Sequence, residues 1–194
     1  VSSFLLNQKK YINTSYKKPK NLNLLFVGSL QVMQNIESLF YFSESFYPYI
    51  KKVFKNLEIS IVGRKPSNKT KKLCENLKWN LYVDVSNKQL IQFYRKADFL
   101  ILPFNYNNGF KIKFLESLAN GTPIIGTKCV DYFGNSEKIS MSLFSDKVNE
   151  WISHIEEYNK LDNFQILKNR NSILSFSKNF YPEKISEIIY KELN

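Results

Sequence analysis

The chain has little of what usually performs chemistry in small proteins: two cysteines, one histidine and three arginines among 194 residues. Cys74 and Cys129 are too few for a zinc centre or a disulfide framework. A serine–histidine or cysteine–histidine arrangement would have to use His154, which Val148, Trp151, Ile152 and Ile155 place on a helix late in the chain, so catalysis of that kind is set aside. No metal or cofactor is expected. No apolar run approaches the roughly 18 residues that cross a bilayer, and residues 1–18 lack the apolar stretch and small-residue cleavage site of a signal peptide. A cytoplasmic protein follows as the expectation. With 43% hydrophobic residues the chain can bury a real core, yet it is short for two independent domains.

Charge is the second constraint. The formal net charge is +11, carried by 28 basic residues of which only Arg64, Arg95 and Arg170 are arginines. Readers of base edges favour the arginine fork, so nucleic acid is not the expected partner. Lys9, Lys10, Lys17, Lys18 and Lys20 crowd the segment before the first strand, and Lys51, Lys52 and Lys55 close the first helical region, where cations suit the negative helix end. A solvated lysine-rich surface and attraction to anionic lipid at the inner face of a membrane both fit this pattern.

Strands and helices alternate along the chain. Leu22–Val27 reads as a strand ending at Gly28, and Ile36 to about Phe46 as a helix that Pro48 kinks or ends. Leu57–Val62 is a second strand ending at Gly63. Ser67 can cap a polar helix to about Leu77. Leu81–Val83 precedes Ser86-Asn87-Lys88-Gln89, a capping-box spacing that starts a helix through Leu90, Phe93, Tyr94 and Ala97. Phe99–Leu102, a helix over about Phe110–Asn120 with Gly121 at its stop, and a strand over Pro123–Thr127 follow. Beyond Lys128 the pattern weakens: a strand within Met141–Phe144, helices over Lys147–Tyr158 and Leu161–Leu174, and a last helix near Pro182. Continuous apolar strands separated by helices predict an α/β fold, a Rossmann-like doubly wound parallel sheet with helices on both faces.

In such a sheet, ligands gather outside the carboxyl ends of the strands. The loop DFLILPFNYNNGFKIKFLESLANGTPIIGT, Asp98 to Thr127, is therefore the candidate site. Asn105, Asn107 and Asn108 supply uncharged hydrogen-bonding groups, Gly109 permits close backbone approach, and the following helix offers free N–H groups at its positive end. A phosphorylated, hydroxyl-rich ligand suits that set.

The order FVGSL at Phe26–Leu30, Asn35, ISIVG at Ile59–Gly63, YRKADFLILP, then GFKIKFLESLANGTPIIGT resembles the nucleotide-binding half of retaining glycosyltransferases with the GT-B fold, more narrowly the bacterial group 1 transferases that build polysaccharides. The likeness runs from about Leu22 to Thr127, and the closing SFSKNFYPEKISEIIYKEL is similar to the family's last helices. It implies an inter-domain connection over 1–21, a donor-binding domain with C-terminal helices over 22–194, and an N-terminal acceptor half that this chain does not contain. It also implies two partners: a nucleotide-diphosphate sugar, and a saccharide or lipid-linked acceptor presented by the other half.

The family's residues carry over position by position. Glu116 matches the second glutamate of a paired motif, the one that accepts hydrogen bonds from ribose hydroxyls; an ordinary helix glutamate paired with Lys113 or Asn120 is the simpler alternative. The first glutamate is replaced by Asn108, which leaves sugar identity open. Gly109 and Phe110 match positions whose backbone N–H groups face the sugar and diphosphate, although a helix-initiating turn with Phe110 as a core anchor explains them equally. Beside Gly28, Ser29 and Asn35 stand where relatives carry an arginine and a lysine that neutralise the diphosphate. Lys111, Lys113 and Arg64 after Gly63 are the remaining cations near the strand ends; helical spacing puts Lys113 on the Glu116 face and Lys111 elsewhere. No catalytic side chain is assigned; Asp84 reads as a turn residue. A degenerate, non-catalytic GT-B scaffold and a sugar-nucleotide epimerase remain as alternatives, the second weakened by the absence of carboxylate or histidine in the Asn105–Gly109 loop.

Overall fold

The apolar runs alternate their side chains between two cores, so helices must cover both faces of the sheet. The computed structural model describes residues 17–106, 109–133 and 139–180. In β1 (Leu22–Ser29), Leu24 and Phe26 enter one core while Leu25 and Val27 enter the other. β4 (Phe99–Leu102) divides in the same way, Phe99 and Ile101 against Leu100 and Leu102. The first core is filled from α1 (Met33–Ser45), α2 (Tyr47–Val53) and α6 (Val148–Lys160), where Phe46 and Trp151 lie 4.3 Å apart between ring centroids. The second takes Tyr94 of α4 (Asn87–Lys96), Phe114 and Leu118 of α5 (Ile112–Ala119), and Ile173 of α7 (Asn163–Ser177).

With β2 (Leu57–Arg64), β3 (Asn80–Val83), β5 (Ile124–Gly126) and β6 (Leu143–Phe144), the strands form one six-stranded parallel sheet in the order β3-β2-β1-β4-β5-β6. This is the doubly wound Rossmann order, and the chain reverses direction across the sheet between β1 and β4, where a crevice opens at the strand ends. The register aligns Leu22 with Leu57 and Gly28 with Gly63, so both strand-ending glycines meet at that crevice. No helix among the described residues is long and apolar enough to cross a membrane.

Local chemistry explains where elements begin and end. Ser67 accepts from the Thr70 backbone N–H at 3.1 Å and starts α3 (Asn68–Leu77); Ser86 and Gln89 form the expected capping box on α4. Pro48 ends α1 as expected, since it has no N–H to continue the ladder and the helix stops at Ser45. It sits in the first turn of α2, where its fixed φ fits and no helical N–H is missed. The strand expected from Met141 shortens to Leu143–Phe144 because Met141 is left-handed, with φ 56°. The helix expected from Phe110 begins at Ile112 because Lys111 is extended, with φ −93° and ψ 107°. Asp162 and Gln165 make a second capping box, so α7 starts at Asn163 rather than Leu161. Arg170 of α7 is fully buried and donates to the carbonyls of Ala97 at 3.0 Å and Arg95 at 2.9 Å, satisfying the C-terminal end of α4. Lys9, Lys10, the helix expected near Pro182, Asn107 and Asn108 lie outside the described residues.

Two glycines separate close packing from site geometry. A Cβ on Gly63 would stand 2.0 Å from the Gly28 carbonyl oxygen, a rigid backbone atom; one on Gly28 would meet only the ends of Lys113 and Asn35, at 2.7 and 2.9 Å. Gly63→Ala is therefore expected to destabilise the fold by about 3 kcal/mol and Gly28→Ala by less than about 1 kcal/mol. Urea denaturation of both variants checks this; equal losses would show that the β1–β2 approach does not limit side-chain size.

Candidate functional site

The sheet brings the strand-end residues together at its switch point. Gly28 and Ser29 at the end of β1, Gly63 and Arg64 at the end of β2, and Glu116 of α5 line one cleft of about 270 Å³, closed by Val27, Val62, Val85, Asn87 and Leu90. Its walls are apolar toward β3 and polar toward α5, the combination needed to hold a flat ring at one end and hydroxyls at the other. Other hollows lie away from it, among them one of about 340 Å³ at the amino-terminal edge of the sheet, around Lys18, Lys55 and Asp98, and an apolar groove of about 720 Å³ between α1 and α3.

Glu116 is half-buried and its carboxylate is held, not free: the Tyr94 hydroxyl donates to Oε2 at 2.9 Å. Burial raises its pKa, while the Tyr94 hydrogen bond and the charge of Lys113 pull it back down. The Asn120 side chain donates to the Glu116 backbone carbonyl at 2.8 Å, leaving the carboxylate out of that contact. The simple surface pairing with Lys113 or Asn120 is thus replaced by a buried phenol.

Lys113 lies on the other flank of Gly28. Its Nζ donates to Asn35 Oδ1 at 2.7 Å, and Asn35 Nδ2 donates to the Ser29 carbonyl at 2.9 Å. The residue as a whole is only half-buried, but its ammonium end rests 4.6 Å from the Phe26 ring centroid and 5.1 Å from that of Phe104. Burial lowers its pKa to about 7, helped by the neighbouring Lys111 charge and opposed by Glu116. An ammonium from α5 therefore stands beside positions 29 and 35 and is tied to both through Asn35.

Lys111 departs from its expected direction. Since it precedes the helix, helical spacing does not govern it, and its Nζ donates to Gln34 Oε1 at 2.8 Å while lying 5.0 Å from the same Phe104 ring. Both lysines converge on one aromatic floor. Gly109 has φ 78° with open space where a Cβ would stand, and its carbonyl accepts from the Tyr132 hydroxyl at 3.2 Å. Phe110 is no core anchor: it is 46% exposed, its ring 4.4 Å from that of Tyr132. The Lys111 N–H donates to Tyr132 as well, at 3.2 Å, so Tyr132 fixes the loop from both sides. Asn108 lies outside the described residues. Asp84 is left-handed, with φ 53°, as a turn residue, and His154 contacts the Met141 carbonyl and the Phe99 ring, away from the cleft.

Residues 21–158 match the family described as glycosyl transferases, group 1. This chain belongs to that family. Among curated proteins, the group 1 chain is 23% identical over 181 residues to an uncharacterized 44.6 kDa protein in the cps region of Klebsiella pneumoniae, covering 89% of this chain and 46% of that protein. Among solved structures it matches an S. aureus TarM mutant in complex with fondaparinux, alpha-GlcNAc-glycerol and UDP, with a TM-score of 0.61 and 16% identity over 92% of this chain and 37% of that one. The chain thus spans less than half the length of either relative, and its fold is the Rossmann-like nucleotide-sugar-binding half of a GT-B glycosyltransferase.

Sequence reasoning missed Tyr94, Gln34, Tyr132 and the lining residues Val85, Asn87 and Leu90 of this group 1 domain. Tyr94 was legible only as one apolar-face position of a helix; nothing local tells that its hydroxyl meets α5. The depressed pKa of Lys113 makes a checkable statement about stability. Between about 7 and the ordinary lysine value of 10.5 the unfolded chain binds a proton that the folded chain does not, so stability from this residue rises with pH across that window. Denaturation at a series of pH values should show a steeper rise in wild type than in Lys113→Met; identical slopes would mean that Lys113 keeps an ordinary pKa.

Proposed function

We propose that this chain is the donor-binding half of a glycosyltransferase that moves a sugar from a nucleotide diphosphate to a saccharide or lipid-linked acceptor in surface-polysaccharide assembly. The observation that carries the reading is the placement of a carboxylate and an ammonium on opposite flanks of Gly28: Glu116 in the cleft and Lys113 beside Asn35. The nucleoside fits the cleft of Val62, Val85 and Leu90, with Glu116 accepting from ribose hydroxyls. The diphosphate then falls near Gly28 and Ser29, within reach of Lys113, and the sugar extends toward Gly109. Charge developing on a departing nucleoside diphosphate needs a preorganised cation, which Lys113 and Lys111 supply without metal. The relative's location in a cps region supports polysaccharide assembly, and the UDP in the TarM complex supports a nucleotide-bearing donor.

Acceptor binding belongs to the other Rossmann-like half of such an enzyme, so this chain alone is expected to bind nucleotide without turnover. The rival reading, a degenerate scaffold, draws on the loss of the first glutamate at Asn108 and of the cations at Ser29 and Asn35; the Lys113–Asn35 contact speaks against the second of these grounds. Peripheral contact with anionic lipid through the lysine-rich surface belongs to the same proposal and should vanish at high salt.

NMR titration with UDP, GDP, ADP and CMP tests it. Saturable binding of one nucleotide is expected, weakened about tenfold or more by Glu116→Ala, since hydrogen bonds to charged groups contribute about 1.5–3 kcal/mol. Lys113→Met should weaken a nucleoside diphosphate more than its monophosphate, and wild-type affinity for the diphosphate should fall from pH 6 to pH 8.5 as Lys113 loses its proton. Absence of saturable binding by all four would refute the donor site.

A further inference from the structure

Tyr94 is completely buried, and the one polar atom of its side chain reaches a carboxylate at the edge of the cleft. A phenol this deep is a demanding choice where phenylalanine would fill the same space, because its hydroxyl must be satisfied. Its position is set twice. The Tyr94 backbone carbonyl accepts from Thr122 Oγ1 at 2.5 Å and from Arg170 at 3.3 Å, and Thr122 follows directly on the Gly121 stop of α5, the helix that carries Glu116. The end of α4 is thus tied to the end of α5 through the Tyr94 carbonyl, while the hydroxyl donates to Glu116.

We infer that Tyr94 is the positioning residue that makes Glu116 selective for a ribose diol: its hydroxyl occupies Oε2 and turns Oε1 into the acceptor presented to the cleft. This rests on the reading of Glu116 as the ribose-binding carboxylate. A carboxylate with one oxygen fixed loses its rotational freedom, so two adjacent hydroxyls meet an acceptor that is already aimed. Tyr94 remains a donor throughout the working range, since burial, then the Glu116 charge, hold its own ionisation well above the ordinary phenol value. The same hydrogen bond opposes the rise that burial imposes on the Glu116 pKa. The other charged groups facing this carboxylate are Lys113 on its own helix and Arg64 across the cleft.

Tyr94→Phe removes the hydroxyl and leaves the ring, the Thr122 tie and the Arg170 contacts in place. The readout is the affinity ratio between a nucleoside diphosphate and its 2′,3′-dideoxy counterpart, measured for UDP, GDP and ADP on the whole chain across pH 4.5–8. Wild type should prefer the ribonucleotide; in Tyr94→Phe that preference should shrink about tenfold, dideoxynucleotide affinity should hold within about twofold, and the acid-side loss of preference should begin at a higher pH. In a Glu116→Ala background, Tyr94→Phe should change the preference no further. A Tyr94→Phe protein with the wild-type ratio and the wild-type acid limb overturns this inference and leaves the donor site standing. Wild type with no ribose preference overturns the role of Glu116 and this inference together. Should Tyr94→Phe not fold, the wild-type hydroxyl proton decides: a slowly exchanging Tyr94 resonance that shifts with the protonation of Glu116 supports the contact, and one indifferent to it overturns it.

Discussion

The close approach of β1 and β2 at Gly28 and Gly63 is the constraint on which the carboxyl edge of the sheet depends. With only 2.0 Å between a Cβ on Gly63 and the Gly28 carbonyl, the two strands can pair in this register only if position 63 has no side chain. That register leaves the end of β1 uncovered, and the space above Gly28 is taken by atoms from elsewhere: Asn35 from α1 and Lys113 from α5. Backbone packing comes first, and the polar constellation is arranged in the room it leaves. The glycines thus serve fold and site at once, although only Gly63 is needed for the strands to pair.

A second consequence concerns where positive charge can be placed. Ser29 and Asn35 give the β1 end no cation of its own, and a long side chain from α5 reaches it instead, its ammonium resting against Phe26 and Phe104. Aromatic faces stabilise the cation where water is partly excluded, while the same exclusion lowers its pKa to about 7. Of the two effects burial is the larger, so Lys113 holds its proton less firmly than an exposed lysine. An approaching dianion would favour the protonated form, so ligand and proton would enter the site as coupled events rather than independently.

Much of this was legible in the chain. The strands at Leu22, Leu57 and Phe99 are continuous apolar runs that can only be buried on both faces, and Ser67 and Ser86 mark helix starts through a side-chain bond three residues away. The strand-end glycines follow directly on the apolar runs, whereas Glu116 was singled out by the family resemblance of the segment around it. Lys111 was misdirected for a local reason: helical spacing was applied to a residue whose extended backbone places it before the helix. The Lys113–Asn35 and Tyr94–Glu116 contacts span 78 and 22 residues, and no periodicity predicts which distant partner a side chain meets. Arg170 is the extreme case, a charged residue fully buried on the carbonyls that end α4, 73 and 75 residues away in the chain.

That buried arginine also explains how a half-exposed glutamate can be held steadily. Thr122, Tyr94 and Arg170 share one carbonyl, so the ends of α4 and α5 and the middle of α7 meet at a single polar junction inside an otherwise apolar core. Buried polar groups are costly unless satisfied, and a junction of this kind tolerates few alternative arrangements. Its rigidity passes outward through the Tyr94 ring to the carboxylate of Glu116, one hydrogen bond from the cleft. Under the proposed reading of Glu116 as a ribose acceptor, stability and recognition run through the same residues: a change that loosens the α4–α7 junction should blur the aim of Glu116 before it unfolds the sheet, because the strands are secured separately by the two apolar cores on their faces.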